Sequence, residues 1–215
     1  MEIITTGIGE ESYKPDQIIL TLNFIFKDNL YDEVLENGTK SVLDFVNNIL
    51  YKYGFSENDI KTKSFIIKEE QKYNEETRSY DFDGYSYNQT VILKFDYELE
   101  KLTNMMKDIS KLSNHPYYKI EFSLKDEEKV KKGLISKAYN DAKEKANIIA
   151  LASNKILKDC IKVSFKPLDV DFLSLTSLDN SAMYLKEASM PLMNKIFTPE
   201  DITLSENIYC LWISE

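Results

Sequence analysis

The chain has 215 residues, 43% of them hydrophobic and 29% charged, which is the composition of a globular protein and not of a disordered one. Its net charge of −9 and pI near 4.9 argue against nucleic acid or an anionic membrane surface as partner, since phosphate binding needs clustered Lys and Arg. The N-terminus MEIITTGIGEE carries neither a basic nor an apolar leader region, and no apolar run approaches the roughly 20 residues that span a bilayer, so the expectation is a soluble, cytoplasmic chain.

A chain of this length points to one large domain or two intimate halves, and a single domain over 1–215 is expected. Residues 2–8 and 17–27 read as strands, the second with Leu20, Leu22, Phe24 and Phe26 alternating with polar neighbours. Pro15-Asp16 lies in the connection. From Asp32 to Tyr53 the period becomes helical, with Val42, Phe45, Val46, Ile49, Leu50 and Tyr53 on one face, and Gly54 ends the helix.

Residues 60–73 and 84–96 form a long hairpin, in whose second arm Tyr85, Tyr87, Gln89, Val91, Leu93 and Phe95 share a face. Its tip, NEETRSYDFDG, is acidic and closes on Gly84. A second amphipathic helix spans 98–112, His115-Pro116 breaks it, and 118–125 is again strand-like. Asp126 is the expected N-cap of a third helix, with Glu127 and Glu128 in its first turn.

That third helix carries a singular pattern. Every alanine of the first 181 residues lies between Ala138 and Ala152, and Ala138, Ala142, Ala146 and Ala150 are four apart. Such spacing marks a face where only a methyl group fits. Acid-before-base pairs (Glu127 with Lys131, Glu128 with Lys132, Asp141 with Lys145) support the exposed side. Residues 159–166 read as a strand, 167–198 as a long variable loop, and DITLSENIYCLWIS as a closing strand. The fold class is therefore α+β: largely antiparallel sheet with a long hairpin, packed by about three helices, in two loosely related halves.

Candidate chemistry is sparse. Gly7-Ile8-Gly9 lacks the third glycine and the helix of a dinucleotide loop, because Ser12 stands where the glycine belongs. Asp81-Phe82-Asp83-Gly84 resembles a fragment of a calcium loop, but Ser79 and Thr90 occupy the places of its first and last ligands. One histidine, His115, and two separated cysteines cannot build the usual zinc sets. No G-x-S-x-G elbow accompanies His115. Cys160 and Cys210 are expected to be buried reduced thiols, with a disulfide between neighbouring strands as the alternative. No cofactor or metal is implied. Tyr73, Tyr80, Tyr85 and Tyr87 cluster around the acidic hairpin. Sheet packing accounts for them, and so would an interaction surface, because tyrosine offers apolar area plus one polar contact.

Four stretches together resemble the SIMPL-domain family of unknown function: TGIGEESYKPDQIILTLNF (6–24), GFSENDIKTKSFIIKEEQKY (54–73) with Gly84-Tyr85 opening the return strand, IEFSLKDEEK with the alanine-bearing helix, and FTPEDITLSENIYCLWI (197–213). The resemblance implies an α+β fold with helices on sheet and, in some members, ring- or channel-like homo-oligomers. Bacterial members are often exported to the envelope, as in the similar periplasmic immunogenic proteins, and are linked to oxidative-stress defence; an animal member associates with a signalling kinase. No catalytic motif accompanies the family. The expected function is that of a non-enzymatic, self-associating bacterial protein, a stress-related scaffold. The alternatives are a protein-binding module acting through residues 60–96, and a small-ligand binder or enzyme using carboxylates brought together by folding.

Overall fold

Two glycines decide how the first strand packs. In the computed structural model, which describes residues 1–168 and 198–215, β1 (Glu2–Tyr13) runs beneath α3 (Glu127–Ala152). A Cβ on Gly7 would stand 1.8 Å from the Ala138 carbonyl oxygen, and one on Gly9 would stand 2.0 Å from that of Leu134. Gly-x-Gly is thus a docking groove for a helix backbone. The alanines supply the other half of the fit: Ala138, Ala142, Ala146 and Ala150 are all fully buried.

With β6 (Leu157–Ser164) and β7 (Ile202–Ser214), these elements make the first of two compact units, a three-stranded antiparallel sheet in the order β1-β7-β6 under one helix. Its core joins Ile3, Ile208, Cys210 and Trp212 to the four alanines. The Trp212 indole N–H donates to Thr5 Oγ1 at 2.8 Å, and the Thr5 hydroxyl donates to the Ala142 carbonyl at 2.9 Å. Asp126 caps α3 by accepting from the Lys129 N–H, as its position in the sequence indicates.

Asp141 and Lys145 do more than pair with each other at 2.6 Å. Asp141 accepts from the Ile8 N–H at 2.8 Å, and Lys145 donates to the Thr6 carbonyl at 3.1 Å. Because β1 is an edge strand, these two side chains occupy backbone groups that another strand could otherwise claim. The Lys145 ammonium, and after it the Ile8 N–H, holds the Asp141 carboxyl below the usual carboxylate range.

The second unit runs from Pro15 to Lys125 and is inserted between β1 and α3. Its order is β2 (Gln17–Asp28), α1 (Tyr31–Phe45), β3 (Ile60–Asn74), β4 (Ser79–Asp96), α2 (Leu99–Ile109) and β5 (Tyr117–Ser123). This is the β-α-β-β-α-β succession of a split βαβ motif, with the sheet order β3-β4-β2-β5 and every pairing antiparallel. Ile18, Leu20, Leu22 and Phe24 of β2 and Val91, Leu93 and Phe95 of β4 face a core completed by Phe45, Ile49, Leu102, Met105 and Ile109.

The helix expected over 32–53 is continuous in path but not in pitch. It widens over Val46–Leu50, tightens over Tyr51–Tyr53, and ends at Gly54 with φ +80°. The change of pitch keeps Val46, Ile49 and Leu50 all buried. The hairpin tip is shorter than expected, since β4 begins at Ser79 and only 75–78 form the turn. The Asn74 side-chain oxygen accepts from the N–H groups of Glu76 and Thr77, and Arg78 takes the left-handed φ of +54°. Gly84 lies within β4 at φ +86°, where an added Cβ would stand 2.6 Å from the Asp28 carbonyl oxygen. The loop expected at 167–198 lies almost wholly outside the described residues.

Candidate interaction surface on the β3–β4 arm

Strand β2 ends at Asp28, opposite Tyr85, so among the described residues the hairpin beyond Tyr85 has no strand paired on its β4 side. From Gln71-Phe82 to Asn74-Ser79 this arm spans roughly 10 Å at about 3.4 Å per residue. Between Glu70 and Asp83 it carries five acids and two bases.

The four tyrosines separate into three environments. Tyr73 and Tyr80 are directly paired across the arm with rings edge-to-face at 5.2 Å, yet they remain 48% and 69% exposed. Tyr85 is half-buried and stands edge-to-face between Tyr31 at 5.5 Å and Phe82 at 5.3 Å. Tyr87 belongs to the core. It is 1% exposed, its ring lies against Gly38, and its hydroxyl donates to Gln89 Oε1. Burial raises the Tyr87 phenol above its ordinary range.

Three aromatic residues of this surface escape a reading by period. Phe65, 51% exposed, packs edge-to-face on Tyr87 at 5.3 Å. Phe82, 53% exposed, reaches Tyr85 although an odd step of three positions would put them on opposite faces, because the bulge between Glu69 and Gln71 and the left-handed Gly84 shift the alternation. Tyr31 comes from the first turn of α1. The glycine inside a Phe-Asp-Gly-Tyr run is the one sequence signal that could have announced the shift.

Strand β3 is one edge of its sheet, β5 being the other, and it is poorly suited to adding another strand. Register shifts interrupt it at Thr62/Ser64 and Glu69/Gln71, and Lys61, Lys63, Lys68 and Lys72 all lie exposed along it. What the arm offers a partner is its side chains. Asp81 and Asp83 lie in β4, where Asp81 accepts from the Asn74 side chain at 2.7 Å, so the calcium-loop fragment is a piece of strand. Ser86 and then Lys68 hold the Glu70 carboxyl below its usual range, with Ser86 donating at 2.6 Å.

The other singled-out residues lie elsewhere. His115 lines a small cavity with Phe24, Gly38, Ser41, Tyr87 and Asn114; it encloses about 10 Å³, room for one water at most. Cys160 and Cys210 are both free thiols, Cys210 buried and Cys160 partly exposed. Among the described residues no helix is long and apolar enough to cross a membrane.

Comparison with curated proteins gives no match. A family model described as SIMPL, a protein of unknown function (DUF541), matches residues 3–209, from the second residue of β1 to the middle of β7. Since that match spans nearly the whole chain, the protein belongs to the SIMPL family.

Proposed function

We propose that this is a non-catalytic protein that self-associates, with the tip of the β3–β4 arm as its contact element, and that it serves as a scaffold. One observation carries the reading: Tyr73 and Tyr80 form an ordered aromatic pair on an arm that its own sheet leaves bare. Exposed aromatic area of this kind is what a protein interface buries. The guarded β3 edge disfavours strand addition along the arm and leaves its side chains as the contact element.

Sedimentation velocity over a concentration series tests this. The expected result is a mass above the monomer for the wild type and a shift toward monomer for the Tyr73→Ser, Tyr80→Ser double variant. The melting temperature should stay nearly unchanged, because both rings are largely solvated. A wild type that remains monomeric at high concentration overturns the proposal. The arm's excess of acids favours a second reading, recruitment of a basic protein partner. That reading predicts capture that is lost on removing residues 74–83 and weakened by salt.

A further inference from the structure

The two thiols of the first unit stand together. Cys160 on β6 has Trp212 as its partner across the sheet, and Cys210 lies two residues along β7 on that same face. Both side chains join the apolar cluster beneath α3, with Tyr139 beside them. The pairing is irregular on both sides of Cys160, between Leu157 and Cys160 and between Cys160 and Lys162, so the backbone there is not held by a regular ladder. The Cys160 thiol donates to the Lys162 carbonyl at 3.4 Å and is partly exposed, whereas Cys210 is sealed from solvent.

We propose that Cys160 and Cys210 are a dithiol modification site that closes to an intrachain disulfide by exchange with a low-molecular-weight disulfide. Cys160 is the entering thiol because it alone is reachable. Its thiolate attacks one sulfur of the small disulfide, forming a mixed disulfide and releasing one small thiolate. Cys210 then attacks Cys160 Sγ; the second small thiolate departs and takes up the Cys210 proton. The balance is two protein thiols and one small disulfide giving one protein disulfide and two small thiols. Burial, and after it the neighbouring Cys160, pushes the Cys210 thiol up to about 11, so Cys210 rests as the protonated thiol at neutral pH. The bond would tie β6, an edge strand, to the central strand β7.

The experiment equilibrates the full chain in buffers of increasing oxidised-to-reduced glutathione ratio, quenches in acid, alkylates in denaturant and records intact mass. The expected oxidised product is a monomer lighter by two hydrogens that takes up no alkylating reagent, with a Cys160–Cys210 cross-link in its peptide map and a higher melting temperature. Cys210→Ala should instead accumulate a glutathione adduct on Cys160, and Cys160→Ser should take up none. A wild type that keeps two alkylatable thiols throughout, or that yields only the adduct or an intermolecular dimer, overturns the proposal.

Discussion

Gly7 lies so close beneath Ala138 that one methyl group between them would stand 1.8 Å from the helix carbonyl oxygen. That atom belongs to the backbone, so no rotamer change relieves the clash and α3 itself would have to move. Gly7→Ala is therefore expected to destabilise by about 1–3 kcal/mol or more, and Ala142→Leu by a similar amount through overpacking. Gly133, in the same helix with nothing within 4 Å of an added Cβ, is the control. Gly133→Ala should stabilise by about 0.5–1 kcal/mol, the ordinary helix preference. Circular-dichroism melts separate the two signs, and equal effects at both positions would contradict the close-packed seam.

Thr5 supplies the one hydroxyl that joins Trp212 to Ala142. Thr5→Val keeps the shape and leaves the Trp212 indole N–H and one helix carbonyl without that partner inside a core. A loss of about 1–3 kcal/mol is expected, the cost of an unmet buried polar group. Thr5→Ser retains the hydroxyl and should recover most of it. Urea unfolding followed by the fluorescence of Trp212, the single tryptophan, reads both.

Asp108 gathers Lys111 at 2.7 Å, Lys52 at 2.5 Å and the Tyr53 hydroxyl at 2.8 Å. These partners, Lys111 foremost, hold its carboxyl well below the usual aspartate value. A depressed carboxyl contributes stability that is present above its unfolded value, about 3.9, and is lost as the pH falls toward the folded one. The stability gap between wild type and Asp108→Asn should thus be largest near neutrality and shrink steadily below about pH 4. A gap of constant size in urea unfolding at pH 3 and pH 7 would refute the assignment. On the alkaline side Tyr53 is pushed up to about 12, first by burial and then by Asp108. Its neutral phenol favours the fold fully below its unfolded value of about 10, and that contribution fades as the pH rises through about 12.

Much of the architecture was legible in the sequence. The alternation of Leu20, Leu22, Phe24 and Phe26 marked β2, and the helical spacing of Phe45, Ile49 and Leu50 marked the path from α1 through the widened turn after it, because burial on one face imposes a period before any partner is known. The pitch change at Val46–Leu50 was not legible, since it serves contacts made by distant residues. On the arm, Tyr73 and Tyr80 are exposed whereas Tyr87 is not: the same residue type in the same run is core only because Gly38 makes room for its ring. Asp141 and Lys145 looked like an ordinary helix pair, and their bonds to Ile8 and Thr6 span more than 130 residues of sequence.

The family and the α+β class followed from the sequence alone, because local period, glycine placement and the order of segments are properties of neighbouring residues. The alanine ladder told that a close seam exists. Only the tertiary structure decided that the seam is with Gly7 and Gly9, that the second unit is inserted between the two halves of the first, and which tyrosines are left to meet solvent. Those facts depend on what residues far apart in the chain place against one another, and a sequence states each side of such a contact without naming the other.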